Sequence, residues 1–290
     1  MYNGFINLNK ASGVSSNRSL GVIKRVLHAK ENGCKVGHLG TLDPLACGVL
    51  PVAVGKATRL FDFCLNKTKT YRARFTFGVT SDSFDLATPL IPFNGAEVTS
   101  LSIQSVLPQF IGKIDQIPPM YSAKNIGGVR AYKLARKGDF VDLKAKSVEI
   151  FSFDLLSQID KNTFEFSIEC SSGTYIRSLA RDLGDAVGSK AVMSFLCRER
   201  SGEFALENSF TEEQLTEYAS TPEKFILPCE TVLKKLPKVV FNGRETMVLN
   251  GVKIECDVKE LSRIYLPDGT LVGIGCADEE GFWEIRTRLL

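Results

Sequence analysis

The chain has 290 residues, of which 44% are hydrophobic and 24% charged, enough to bury one large core or two modest ones and to solvate the outside. A net charge of +3 excludes bulk electrostatics as the means of holding a polyanion and leaves that task to local basic patches. No uncharged apolar run reaches the ~18 residues of a membrane span, and the opening Met1-Tyr2-Asn3-Gly4-Phe5 is no secretory leader, so a soluble cytoplasmic protein is expected.

Residues 4 to 9 read as a short strand. Ser15-Ser16-Asn17 then offers N-caps to a helix that carries Leu20, Ile23, Val26 and Leu27 on one face. Thr70 to Gly78 alternates as a strand, and Ile103, Val106, Leu107 and Phe110 fall at helical spacing. Phe164, Phe166, Ile168 and Cys170 alternate with polar residues as a second strand. A helix follows Thr174-Tyr175-Ile176-Arg177 with Leu179, Ala180, Leu183 and Val187, and Thr211 to Gln214 reads as a capping box. The mixture predicts an α+β fold. Pro222, Pro228 and Pro237 interrupt the periodicity and mark residues 221–237 as a linker, after which four short strands and a Pro267-Asp268-Gly269 turn predict a small barrel. Eight scattered cysteines without a Cys-x-x-Cys pair, joined only by His28 and His38, predict reduced, mostly buried thiols and neither a zinc site nor a disulfide framework.

The densest chemical signal lies between Gly37 and Pro51. Asp43 is the only acidic residue from Asn32 to Phe61, and Pro44 biases it toward an extended backbone. Gly37, Gly40 and Gly48 allow angles or close approaches that a side chain would forbid. A solitary carboxylate is not half of a glycosidase pair, and it has no His or Cys neighbours to make a metal site. Asp43 is therefore a nucleophile or an electrostatic partner, or else a turn or cap residue as in most Asp-Pro pairs.

The run Gly37-His38-x-Gly40-x-Leu42-Asp43-Pro44-Leu45-Ala46-x-Gly48-x-Leu50-Pro51, followed by Gly55-Lys56-Ala57-Thr58, resembles the signature of the TruB family, the tRNA pseudouridine-55 synthases. The resemblance implies that Asp43 is the catalytic nucleophile. It also implies a pseudouridine-synthase catalytic domain over residues 1–230, with a mixed, mainly antiparallel sheet and flanking helices, and a PUA-like RNA-binding barrel over 237–290. Lys67-Thr68-Lys69-Thr70-Tyr71-Arg72-Ala73-Arg74 interleaves cations with an aromatic, as phosphate contact and base stacking require, and the resemblance makes Tyr71 the active-site tyrosine. Ser172-Gly173-Thr174-Tyr175-Ile176-Arg177 resembles a second motif, which places Tyr175 against the base and pairs Arg177 with Asp43. A guanidinium there is expected to lower the carboxyl pKa.

The same likeness makes Leu196 an apolar wall, sets His38 near the flipped nucleotide and keeps Lys10 as a substrate-binding cation after the first strand, where Ala11 stands in place of the family's usual proline. Leu39 also departs from the pattern, which commonly has a small or hydroxylated residue there. Ile117 to Lys124 resembles the entry to an inserted RNA-clamping loop at about 120–147. From Lys124 to Lys146 stand seven cations against two anions, and Lys124, Arg130, Lys133, Arg136 and Lys137 are the expected RNA contacts. The implied activity is cofactor-free and metal-free isomerisation of the T-loop uridine at tRNA position 55 by a monomer that binds the T-arm without an obligate protein partner. The alternatives are a dyskerin-like, guide-RNA-dependent synthase and a non-catalytic RNA-binding or RNA-chaperone protein.

Overall fold

The computed structural model describes all residues except 1, 66, 123–124, 127, 132–142, 242–251 and 253. In chain order the strands are β1 (Gly4–Lys10), β2 (Val36–His38), β3 (Cys47–Val54), β4 (Lys69–Phe77), β5 (Val79–Thr80), β6 (Ile91–Pro92), β7 (Gly112–Gln116), β8 (Asn125–Ile126) and β9 (Val129–Arg130). They continue with β10 (Lys146–Gln158), β11 (Thr163–Cys170), β12 (Ala191–Ser201), β13 (Phe204–Ala205), β14 (Lys238–Val240), β15 (Ser262–Tyr265), β16 (Leu271–Ala277) and β17 (Trp283–Arg288). The helices are α1 (Ser16–Val26), α2 (Phe61–Leu65), α3 (Ser100–Val106), α4 (Ile176–Ala186) and α5 (Glu212–Glu217).

Among the described residues nine strands make the main sheet, in the order β1-β3-β12-β4-β11-β10-β7, with β2 on β3 and β13 on β12. Every pairing in it is antiparallel except β3 with β12. The mixed, mainly antiparallel α+β architecture matches the sequence expectation. Phe75, Phe77, Phe153, Phe164 and Phe166 stack edge to face or tilted along β4, β10 and β11 and form the middle of the core. α1 buries Leu20, Ile23 and Val26 against this core, and α4 buries Leu179, Ala180 and Leu183.

Local signals act where the sequence places them. The Ser15 hydroxyl accepts from the Arg18 amide and starts α1, while Thr211 and Gln214 form the reciprocal capping box of α5. β10 and β12 were not expected as strands. Much of β12, AVMSFLCRERS, is buried, so it lacks the clean alternation of a half-exposed strand.

The segment 221–237 is no loose linker. Phe225 and Leu233 are 1% exposed, and Leu227 exchanges two backbone hydrogen bonds with Phe5 on the edge of β1, so the prolines shape packed turns. Beyond it, β14-β15-β16-β17 form a four-stranded sheet with the expected turn at Pro267-Asp268-Gly269, where the Asp268 carboxylate accepts from the Thr270 amide at 2.8 Å. Ile274 of this sheet and Leu289, just after β17, pack into one cluster with Phe5, Val49 and Leu60. Among the described residues no helix is long and apolar enough to cross a membrane.

Candidate active site

Asp43 lies in the connection from β2 to β3, and its neighbours are fastened from several directions. The Ser16 hydroxyl, at the first turn of α1, donates to the Leu42 carbonyl at 2.8 Å and accepts from the Leu42 amide at 3.0 Å. The Lys10 ammonium donates to the carbonyls of Ala11 (2.9 Å), Val14 (2.6 Å) and Pro44 (3.2 Å). Pro44 O also accepts from the Gly13 amide, and Ser12 Oγ donates to Leu45 O. On the far side Arg198, 2% exposed, donates from Nε to Val49 O at 2.7 Å and from Nη2 to Gly40 O at 3.1 Å. Charged donors on backbone carbonyls are strong bonds, and together they fix both ends of the loop.

Gly48 shows why the loop sequence is restricted. Its φ is +93°, and a Cβ there would stand 2.4 Å from the Arg198 carbonyl oxygen, on the neighbouring strand β12. Gly40 is also left-handed at +109°. Gly37 makes no such demand, contrary to expectation, because it lies in β2 with open space where a side chain would be.

The Asp43 carboxylate meets Arg177 Nη2 at 2.9 Å. Arg177, one residue into α4, is 4% exposed; it donates to Ser83 O at 3.0 Å and Tyr121 O at 2.9 Å and forms an ion pair with the Asp85 carboxylate at 3.6 Å. Asp85 is itself fixed by the Ser83 hydroxyl (2.5 Å) and the Ala87 amide (2.9 Å). The pairing foreseen from sequence is present, but its electrostatic consequence differs from the expectation. Burial lifts the Asp43 pKa above the ordinary carboxylate value; Arg177 opposes the rise and Asp85 adds to it. Desolvation outweighs the ion pair, so Arg177 limits the rise without reversing it. Protein atoms crowd the carboxylate closely, yet 37% of its side chain is accessible, and that accessible part gives onto a cavity.

The cavity has a volume of about 420 Å³ and is lined by Asp43, Tyr71, Tyr175, Arg177, Leu196 and Arg198, among others. Tyr71, on β4, is 8% exposed. Burial raises its phenol pKa against the pull of nearby Arg198, so it offers a neutral ring and hydroxyl. Tyr175 caps α4, and Gln116 at the end of β7 fixes its backbone, accepting from its amide at 2.8 Å and donating to its carbonyl at 3.2 Å. Lys69, whose pKa burial brings down to about 8, also lines the cavity. Lys146 closes one rim with its Nζ over the Ser172-Gly173-Thr174 turn, where a Cβ on Gly173 would lie 2.7 Å from it.

The other expected site residues are placed elsewhere. Lys10 is fully buried and all three of its N–H bonds go to carbonyls, so it positions the Asp43 loop and does not face the cavity. His38 ends β2 outside the cavity wall; burial and Arg198 lower its pKa, and its Nδ1 is sealed from solvent without a partner among the described residues. Arg72 and Arg74 are not free phosphate contacts, because they form a cross-strand ladder with Glu165 and Glu199. Lys124, Lys133, Arg136 and Lys137 lie outside the described residues, and of Arg130 only the backbone in β9 is described. Sequence reasoning missed Arg198, Gln116 and Asp85; an Arg two residues after the wall residue Leu196 was the one signal available for Arg198. Among the described residues no group of three His, Cys, Asp or Glu side chains could hold a metal ion.

Residues 24–176 match the family model described as TruB family pseudouridylate synthase (N terminal domain), and residues 177–234 match tRNA pseudouridylate synthase B C-terminal domain. The chain is 37% identical over 290 residues to tRNA pseudouridine synthase B of Clostridium perfringens, covering 97% of each chain. It is 39% identical over 279 residues to the protein of that name from Nostoc sp., covering 94% of each. Among solved structures it is similar to the crystal structure of a Cbf5-Nop10-Gar1 complex, with a TM-score of 0.72 and 27% identity, covering 99% of this chain and 85% of that one.

Proposed function

The chain belongs to the TruB family of pseudouridylate synthases and is a stand-alone tRNA pseudouridine synthase, an isomerase; from that premise we propose that Asp43 is its nucleophile and the T-loop uridine at position 55 its target. The observation that carries the assignment is the Asp43–Arg177 pair at 2.9 Å, with the carboxylate open to an aromatic-walled cavity. A cavity of about 420 Å³ is of the size that takes a single small ligand.

A uridine stacked in an RNA loop is out of reach of a carboxylate at the foot of a cavity, so the nucleotide must leave its stack and enter. Tyr71 and Tyr175 receive the base on aromatic faces, and Leu196 supplies an apolar wall. Asp43 acts on the uridine, the N1–C1′ bond breaks and the uracil turns. The C5–C1′ bond then forms, C5 loses its proton and N1 gains one, so the product is an isomer. Arg177, fixed by Asp85, Ser83 and Tyr121, keeps the carboxylate aimed and eases its ionisation. Lys146 at the rim, with the basic segment around 124–137, supplies cations for the RNA backbone and lets the enzyme bind tRNA without a partner protein.

The test is to incubate the pure protein with an unmodified tRNA transcript, without guide RNA or partner protein, and map pseudouridine. Modification at position 55 supports this reading, and none, or modification only with a guide RNA, overturns it.

A further inference from the structure

Cys47 and Cys197 stand directly opposite each other where β3 and β12 run parallel, a pairing that continues only to Gly48 and Arg198. All eight cysteines are free, and these two are half-buried. A Cβ on Gly48 would lie 2.9 Å from Cys197 Sγ, so that sulfur sits close against β3. The facing Cys197 thiol and the Lys10 ammonium together lower the Cys47 pKa, against burial, to about 7. Leu196 and Arg198 line the cavity, so the alternation of β12 turns Cys197 to the other side of the sheet. Neither sulfur belongs to the catalytic surface.

We infer that Cys47 and Cys197 are a reversible dithiol–disulfide pair, oxidised by small disulfides of the glutathione type, whose closure displaces the Asp43 loop. The Cys47 thiolate attacks one sulfur of the small disulfide and releases one thiolate. Cys197 then displaces the second, its proton passing to the leaving group. Two protein thiols are oxidised by two electrons to one disulfide, and one small disulfide is reduced to two thiols.

Paired Cα atoms on adjacent strands are ~4.8 Å apart, inside the bridging range, whereas a disulfide draws its Cβ atoms to ~3.8 Å, closer than parallel neighbours stand. Closure therefore pulls β3 and β12 together, and a two-residue pairing offers little resistance. Cys47 follows Ala46, whose amide donates to Asp43 O at 3.1 Å, and Cys197 precedes Arg198, which holds Gly40 O. Both ends of the catalytic loop move. The loss of activity rests on the function proposed above, but the cross-link does not.

The experiment treats the full-length protein with oxidised glutathione, maps disulfide-linked peptides by mass spectrometry and measures pseudouridine formation before and after dithiothreitol. The expected result is a Cys47–Cys197 peptide lacking two hydrogen atoms, with a loss of turnover on the order of tenfold to a hundredfold that dithiothreitol reverses. Cys47→Ser, which removes the attacking thiolate, should work as the wild type does when reduced and resist oxidation. No such peptide from folded wild-type protein would overturn the proposal, as would a cross-linked protein of full activity or a Cys47→Ser variant equally inhibited by oxidation. If Cys47→Ser fails to fold, the wild-type peptide map and its reversal decide alone. A cross-link in a protein that never forms pseudouridine would leave the pair standing and remove the proposed function.

Discussion

Replacing Arg177 by Met keeps much of the side-chain volume and removes the charge that Asp43 and Asp85 share. Asp85 is 6% exposed on its side chain and Arg177 4%, so this is a buried pair, and removing one partner of such a pair costs about 3–5 kcal/mol. The Ser83 and Tyr121 carbonyls lose their donors as well, while Asp85 keeps the Ser83 hydroxyl and the Ala87 amide, which favours the lower end. A chain of this length should lose roughly 10 °C in Tm.

The loss should depend on pH in a defined direction. The folded-state pKa of Asp43 is already raised, and without Arg177 it rises further. A group whose folded pKa exceeds its unfolded value contributes stability that is full below the unfolded pKa and is lost as pH rises through the folded one. Arg177→Met should therefore be least destabilising in acid and increasingly destabilising as pH rises through the folded-state pKa of Asp43, while the acid limb of its pH–rate profile moves to higher pH. Thermal melts and single-turnover rates as a function of pH measure both. A melting difference that is flat or largest in acid, or an unmoved acid limb, would refute the electrostatic account.

Gly48→Ala forces a Cβ against Arg198 O at 2.4 Å from a left-handed backbone, costing about 1–3 kcal/mol for overpacking and a further ~1–2 kcal/mol for the backbone. Turnover and Tm should fall together, and a variant equal to wild type in both would show that the approach of β3 to β12 is not tight. Neutralising Lys133, Arg136 and Lys137 together should weaken tRNA binding and flatten its salt dependence, each lost phosphate contact removing roughly one counterion from the slope, with the chemical step at saturating tRNA unchanged. An unaltered salt slope would remove the basic segment from the RNA interface.

The Asp43 loop was legible because its chemistry is contiguous: a lone acid, Pro44 and left-handed glycines fall within fifteen residues. Arg177 was legible only through its motif, since nothing local announces a partner 134 positions away, 177 minus 43. Lys10 read as a cation free to bind substrate, whereas the fold brings three carbonyls around its ammonium, a placement decided by tertiary structure. Arg198 and Gln116 act on backbone groups of distant residues, which leave no pattern in side-chain identity. The prolines of 221–237 mark turns correctly, but whether turns are packed or loose depends on burial of Phe225 and Leu233 against a strand more than two hundred residues earlier.

The central claim is that the Asp43 carboxylate does the chemistry. Isomerisation exchanges the C5–H bond of the target uridine for C5–C1′, so tritium at C5 appears in water as the product forms. With Asp43→Asn, which keeps the shape and the acceptor facing Arg177, tritium release from labelled tRNA should vanish while tRNA affinity stays within a few fold of wild type. Release within about tenfold of the wild-type rate would contradict the assignment.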